Sequence, residues 1–578
     1  MKQLRPERLH STTFANTVAT SHWVATEIRH RDLATGLFTL FLLIIAFLRP
    51  NLFSGFASAI ERFGRRLANN KRLALLAVAV AGILLRLSVL WAIPVPVPSV
   101  HDEFSYLLAA DTFSHGRLTN PPHPMWLYFD TFHVNQFPTY MSKYPPAQGA
   151  ALALGEMLGH PWIGVLISVS AMCAAVLWAL QGWFPPAWAL LGAMLVVLRL
   201  GIYGYWVNSY WGGAVAAVGG ALVVGALPRV IHSRRFADAV ILGCGAAILA
   251  NSRPFDGLIF CLPVGIFLSW WLLGRRAPTW RVTLPRIVLP CGFVLLLCGL
   301  FMGHYNHRLT GNAFLFPYVV NDRTYLSTPS LVWQKETSPR HYGNPQLDAF
   351  YNGWCRETWE TTHIHNLRTG IRDLILVVKN LFSFFLWPEL CIPLLASPWL
   401  VFDRRVRFFV LQALVCIAGF LLIAWPLQPH YAAPLTVAIF AVIVQGMRHL
   451  RKWHFRGRVI GIGLSRAIVL ASVSLVPFHP WNFPELAASR ARSDLATLMS
   501  TKTGKQLLIV RYATGHYIHT EWVYNAADID HAKVVWAREI PGVPLQPLLN
   551  YFHDRQVWIV EADEYPPKVE AYVPSIKP

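Results

Sequence analysis

The sequence predicts an all-α polytopic membrane protein, with about eleven or twelve transmembrane helices, that carries a small α/β domain outside the bilayer at its C-terminal end. Three observations support that expectation. The 578 residues are 54% hydrophobic and only 14% charged, with positive mean hydropathy, too apolar a mixture for a soluble chain of this length. Apolar stretches approaching the roughly 20 residues needed to cross hydrocarbon recur as far as residue 476. Beyond that point the pattern breaks into short strand-like and helix-like runs.

The predicted spans are 73–93, 161–183, 186–203, 212–230, 236–250, 255–273, 287–302, 384–401, 408–423, 431–447 and 459–476. They divide the chain into an N-terminal segment, 1–72, a transmembrane domain, 73–476, and a C-terminal domain, 484–578. The N-terminal segment is polar up to residue 32 and lacks the layout of a cleaved secretory signal. Its apolar stretch 35–48 is short for a span and either crosses the membrane or lies in the interface.

Cations fix the expected orientation. Lys and Arg cluster at 62–72, 229–235, 275–286, 404–407 and 448–458, which share one side if the spans alternate, and that side is expected to be the cytoplasm. The formal charge of +20 therefore reflects topology and does not call for a nucleic-acid partner. The opposite loops carry acids, histidines and aromatic residues instead, in a first outer loop, 94–160, and a long outer loop, 304–383. Two stretches, 145–158 and 371–384, must return to the side they start from and read as juxtamembrane helices. The eight cysteines show no ladder of paired spacings, which argues against a disulfide framework or a zinc cluster.

In the C-terminal domain 507–510, 534–536 and 557–560 read as buried strands, and 487–499 and 545–552 as helices. It contains no phosphate loop or nucleophile motif and reads as a folded tail without catalysis.

The first outer loop is the most informative stretch. His101-Asp102-Glu103-Phe104-Ser105-Tyr106 follows a Pro-Val-Pro-Val-Pro run, and Gly116 and then Lys143-Tyr144-Pro145-Pro146 come later. Adjacent acids at an apolar boundary are costly to keep, which suggests a task, although acids also favour the first turn of a helix. The pattern of Asp102, Glu103, Tyr106, Gly116, Lys143, Pro145 and Pro146 resembles the first outer loop of GT-C glycosyltransferases. Within them it is similar to the family of lipid A aminoarabinose transferases, protein O-mannosyltransferases and related polyprenyl-phosphate-sugar-dependent enzymes. Members often place Pro directly after the Lys, where this chain has Tyr144.

The resemblance implies a GT-C-like helical fold and transfer of a monosaccharide, with inversion, from a polyprenyl-phosphate-linked donor to a hydroxyl of a glycan, lipid or protein acceptor. It also implies a bacterial inner (plasma) membrane protein whose active site faces the periplasm. A sugar hydroxyl needs a base to take its proton, and the resemblance gives that role to Asp102, with Glu103 as reserve base or orienting group. The departing lipid phosphate needs cations or donors, for which Lys143, Arg253, His430 and Tyr431 are candidates at span ends. Tyr106, Tyr144 and Trp211 are candidates for lining the substrate site, Trp211 also reading as a close backbone approach because two glycines follow it. No cofactor is expected. His101, His115, His123 and His133 lack metal-ligand spacing, so no metal residues are assigned, although some GT-C enzymes use a divalent ion. Two rivals remain: a transporter or flippase of lipid-linked sugars, which would place its ionisable residues nearer mid-membrane, and a membrane-anchored binding protein working through its C-terminal domain.

Overall fold

The computed structural model of the chain describes residues 33–52, 54–274, 278–362, 364, 366–478 and 487–573. The polar stretch 1–32, and the cations Arg275 and Arg276 of one predicted basic loop, lie outside the described residues.

The described residues begin with α1 (Leu33–Leu48), α2 (Ser54–Asn69) and α3 (Lys71–Leu87). The side chain of Asn70 accepts the Leu73 N–H at 3.1 Å, which caps α3 and separates it from α2. After α3 the prolines at 94, 96 and 98 hold the backbone extended as far as α4 (His101–Ser114). A short antiparallel pair, β1 (Val134–Asn135) and β2 (Met141–Ser142), then leads into α5 (Pro146–Met157).

The central bundle comprises α6 (Pro161–Leu180), α7 (Pro186–Leu200), α8 (Ala214–Ser233), α9 (Phe236–Ser252), α10 (Pro254–Leu273) and α11 (Trp280–Thr310). Several of these begin at Pro, whose fixed φ suits the first helical turn and whose missing N–H costs nothing there. Helices α5 and α6 touch through their backbones: a Cβ on Gly164 would lie 2.0 Å from the Ala151 carbonyl oxygen, so only glycine permits the crossing. The long loop carries α12 (Pro317–Tyr325) and α13 (345–362). The bundle closes with α14 (Leu367–Leu395), α15 (Arg407–Phe420), α16 (Pro429–Leu450), the hairpin of β3 (His454–Phe455) and β4 (Arg458–Val459), and α17 (Gly461–Ser474).

Six of these helices, α6, α8, α10, α11, α14 and α16, are long and apolar enough to cross a bilayer, and α1, α7, α9, α15 and α17 are shorter apolar helices. The chain is an integral multi-pass membrane protein. Every predicted span falls on a helix, but several helices are shorter than the hydropathy profile suggested. Helix α3, on which the first predicted span 73–93 falls, carries Lys71, Arg72 and Arg86 and belongs to neither set. The stretch 371–384, predicted as a separate juxtamembrane helix, is continuous with the next span within α14, whose direction breaks at Trp387, where φ is +48°.

The C-terminal domain comprises α18 (Ala487–Thr501), β5 (Lys505–Arg511), β6 (Val534–Arg538), α19 (Gln546–Tyr551), β7 (Arg555–Glu561) and β8 (Lys568–Ala571). Its sheet runs in the order β6-β5-β7-β8, with β5 parallel to both neighbours and β8 antiparallel at the edge. The three apolar strands visible in the sequence form the parallel part of the sheet, β5 and β6 largely buried and β7 only in part, and the polar edge strand β8 carries no such signal.

Beside the sheet, Arg538 and Glu521 form an ion pair whose side chains are wholly buried, and Glu521 also accepts from Tyr512 OH at 2.5 Å and from the Val523 N–H at 2.7 Å. Removing one partner strands the other charge. Glu521→Ala is expected to cost about 3–5 kcal/mol of domain stability. The measurement is thermal unfolding of the purified protein followed by limited proteolysis of the C-terminal domain; an unchanged midpoint and proteolysis pattern would contradict it.

Candidate active site

The loop between α3 and α4 is fastened from two directions. Arg86, fully buried near the end of α3, donates to the carbonyl oxygens of Ile93 and Pro94 at 3.0 Å each and to Asn208 Oδ1 at 2.8 Å. A guanidinium at an apolar boundary is tolerable because acceptors are already aimed at it. Tyr210 OH donates to the Pro96 carbonyl at 2.9 Å, which binds the proline run to the α7–α8 connection.

Glu103 completes the fastening. One of its oxygens accepts the Ser99 and Val100 N–H groups at 2.8 and 3.0 Å, closing the first turn of α4, and the other accepts the Tyr210 N–H at 2.8 Å. Burial pushes its carboxyl up to about 7, against the pull of these backbone donors. A carboxylate 3% exposed and bonded in this way is not stationed to take a proton from substrate. The reserve-base assignment of Glu103 is replaced by a positioning role.

Asp102 points elsewhere. Its side chain is 21% exposed, Tyr144 OH donates to Oδ1, and His133 Nε2 stands 4.0 Å from Oδ2. Burial, and then the Asp102 charge, hold the Tyr144 phenol well above its ordinary pKa, so it remains a donor to the carboxylate. Tyr144 stacks on Tyr106 with ring centroids 4.5 Å apart.

Two cations bracket these tyrosines. Lys143 Nζ lies 5.4 Å from the Tyr144 ring centroid, and the Arg253 guanidinium lies 4.8 Å from that of Tyr431. Arg253 is close enough for its charge to act on Tyr106 and Tyr144, and Asp102 acts on Tyr106, Tyr144 and Tyr431. Among the described residues neither cation has a carboxylate within 4.0 Å.

Asp102, Tyr106, Lys143, Tyr144, Arg253 and Tyr431, scattered in sequence, therefore converge where α4, α5, α10 and α16 begin. His430 does not open into this space. Its ring is 1% exposed, its Nδ1 is 2.8 Å from Tyr205 OH, and Trp211 packs on it at 4.6 Å. It packs behind the site, between Tyr205 and Trp211. Trp211 belongs to the same support: Gly213, at φ +118°, brings the backbone so near Trp206 that a Cβ would lie 2.4 Å from the indole.

Two contributors were invisible in sequence. His133 has a left-handed backbone, φ +60°, stabilised at its carbonyl by Ser105 Oγ at 2.6 Å and the Lys143 N–H at 3.2 Å, which aims its ring at Asp102. The C-terminal domain, expected as a tail, is bound to α4. Tyr524 stacks flat on Phe104 at 4.2 Å, the Ala527 N–H donates to Asp111 at 2.6 Å, and Tyr128 OH donates to the Pro544 carbonyl at 2.6 Å. Phe104 and Leu108 share one apolar core with Leu507, Ile509 and Val535. His519 of the same domain lies 5.4 Å from the ring of His101, beside Phe350 and Trp354 of α13.

Glu103→Gln replaces one acceptor oxygen by an amide that confronts a backbone N–H, and is expected to cost about 1–3 kcal/mol. The pH dependence supplies a second readout. A carboxyl whose pKa is raised from 4.5 to about 7 contributes stability most fully below 4.5 and loses it as pH rises through 7. Thermal unfolding of wild type should therefore fall more steeply between pH 5.5 and 8 than that of Glu103→Gln; parallel curves would remove Glu103 from this role.

No family model matches the chain, and no curated protein matches it. Solved structures are similar to it at low identity. The Archaeoglobus fulgidus oligosaccharyltransferase in its apo form is 12% identical with a TM-score of 0.45, over 85% of this chain and 69% of that one. The same organism's oligosaccharyltransferase AglB, in complex with an inhibitory peptide and a dolichol-phosphate, is 12% identical with a TM-score of 0.43 over the same shares. ArnT from Cupriavidus metallidurans, bound to undecaprenyl phosphate, is 12% identical with a TM-score of 0.44, over 84% of this chain and 92% of that one.

Proposed function

We propose that this protein is a membrane glycosyltransferase that moves a monosaccharide from a polyprenyl-phosphate donor to an acceptor hydroxyl on the non-cytoplasmic face, with inversion. The observation that carries the reading is the pairing of one accessible carboxylate, Asp102, with two cations, Lys143 and Arg253, that among the described residues have no carboxylate within 4.0 Å, around a shared group of tyrosines. Such a site has a base for an incoming alcohol and a receptor for a departing phosphate.

In the proposed reaction Asp102 takes the proton of the acceptor hydroxyl as its oxygen bonds to the anomeric carbon. The bond from that carbon to the phosphate oxygen breaks on the opposite face, and the electron pair leaves with the lipid phosphate. Lys143 and Arg253 stabilise the charge that develops there, and the phenols of Tyr106 and Tyr431 offer further donors. Tyr144, bonded to Asp102, keeps one carboxylate oxygen in place and leaves the other to the acceptor. The donor's tail would lie among the apolar helices and the acceptor, a glycan, lipid or protein, would approach between the first and long outer loops. The basic loops on the opposite end support an orientation in which Asp102 faces the periplasm of a bacterial inner membrane.

Asp102→Asn keeps the side-chain shape and removes the base. It is expected to retain folding and donor binding while lowering transfer by roughly 10²–10⁴-fold. Wild-type transfer by a folded variant would remove Asp102 from the mechanism. Lys143→Ala and Arg253→Ala should weaken use of the donor far more than use of the acceptor, read as separate KM values in reconstituted vesicles. An effect confined to the acceptor would contradict phosphate binding. Movement of a lipid-linked sugar across the vesicle bilayer without transfer would favour the flippase reading instead.

A further inference from the structure

The site above uses one end of the bundle; the other end carries an amphipathic helix that the proposed chemistry leaves unused. Helix α2 sits between α1, which ends at Leu48, and α3, which starts at Lys71. Helix α1 is apolar and α3, despite its terminal cations, exposes Leu73, Leu76, Val80 and Leu84, so connectivity holds α2 beside apolar surface, at the end of the bundle opposite Asp102. It is fixed there by Glu61, which accepts from Arg451 at 2.9 Å and from Arg466 at 3.0 Å, while Arg466 also donates to Ser58 at 3.0 Å. Although partial burial opposes ionisation, the bonds from Arg466 and Arg451 lower the Glu61 pKa, so the anchor stays charged.

Away from that anchor the helix presents two further faces. Phe56, Ile60 and Phe63, spaced at i, i+4 and i+7, form one apolar ridge and are 72%, 57% and 69% exposed. Arg62, Arg65 and Arg66 are exposed on the remaining circumference, and among the described residues none has a carboxylate within 4.0 Å. Lys71 and Arg72 extend the charge to the first turn of α3. An exposed aromatic ridge next to unpaired cations, held at a bilayer boundary, matches the requirements of a helix lying in the headgroup plane.

We propose that α2 is an in-plane binding element for anionic phospholipid: Phe56, Ile60 and Phe63 enter the acyl boundary and Arg62, Arg65 and Arg66 bind the headgroup phosphates. The occupant is lipid because the helices on either side of α2 also expose apolar residues, among them Phe41, Leu48, Leu76 and Leu84, and it is anionic because among the described residues no carboxylate lies within 4.0 Å of the arginines beside the ridge. Glu61 makes the arrangement rigid, so the binding surface is preformed. The proposal is independent of the transferase reading, since no residue of α2 is near the Asp102 site.

The test uses full-length protein in detergent, offered equal amounts of phosphatidylglycerol and phosphatidylcholine with matched acyl chains, with retained lipid counted by native mass spectrometry. Wild type should retain phosphatidylglycerol preferentially, and Arg62→Gln/Arg65→Gln/Arg66→Gln should lose about tenfold of that preference, whereas the triple Lys variant keeps it. The preference should also fall as salt rises. In nanodiscs, hydrogen exchange across residues 54–69 should be slower with phosphatidylglycerol than with phosphatidylcholine alone for wild type only. Equal preference in the triple Gln variant, or retention independent of headgroup, overturns the proposal. So does a dimeric mass that disappears in Phe56→Ser/Phe63→Ser, because the ridge would then be covered by a second copy of the chain.

Discussion

The buried carboxylate of Glu103 is the constraint on which the candidate site depends. It ties the first turn of α4 to the α7–α8 connection by accepting backbone N–H groups from both, and Arg86 holds the intervening proline run against α3. A carboxyl group in so apolar a setting is tolerable only while its oxygens are hydrogen-bonded, so the structure resists any movement that would free one. That resistance fixes the direction of α4. Asp102, one residue earlier, is thereby turned away from the fastening and towards the tyrosines. The adjacent acids have divided their work: one is spent on geometry, and the other is left with an open oxygen.

The electrostatic design follows the same logic. Lys143 and Arg253 stand near aromatic rings and lack carboxylate partners within 4.0 Å among the described residues, and the acids nearest in charge, Asp322 and Asp256, act on them without a direct ion pair. Ring faces stabilise a cation without consuming its donors, which leaves those donors for a ligand anion. At the opposite end of the bundle the cations are treated differently: Arg451 and Arg466 are paired with Glu61, and His449 with Asp403 at 2.7 Å. Paired cations there secure helix ends, while the Asp102 end keeps its cations available.

Much of this was legible in the sequence, for identifiable reasons. Each span read from hydropathy falls on a helix because burial in lipid selects composition directly, although α3 is not among the helices apolar enough to cross, and the parallel strands of the C-terminal domain stood out as short apolar runs. Helix lengths were less legible: 371–384 and 384–401 looked like two elements, yet α14 carries both around a turn at Trp387, where Pro388 is the one sequence signal of the break. In the site, the loop motif led to Asp102, Tyr106, Lys143 and Tyr144. Residue types alone could not separate Asp102 from Glu103, because the difference lies in which backbone amides each one meets. His430 looked like a span-end donor and proved to be sealed behind Tyr205 and Trp211, a fact of packing. The interrupted apolar run at Arg86 was a usable signal, since a lone guanidinium near the end of a span must find acceptors.

The C-terminal domain gave no signal of its importance, because its contacts with α4 are made by ordinary core and loop residues. Phe104 and Leu108 lie on the same short helix as Asp102, and their apolar face is closed by Tyr524, Leu507 and Ile509 rather than by lipid or by another span. A helix of 14 residues held on one side by the bundle and on the other by a soluble domain cannot shift against either without opening a buried core. The arrangement lets a membrane protein hold a solvent-facing carboxylate as firmly as an interior one. Hydrocarbon supplies no directional contacts at the bilayer surface, so rigidity there has to come from protein packed above it, and the parallel sheet, with its own buried Arg538–Glu521 pair, supplies a body stiff enough for the purpose. The domain is thus a structural half of the site, whatever substrate reaches it, and the position of Asp102 is set jointly by Glu103 below and by the Phe104–Tyr524 stack above.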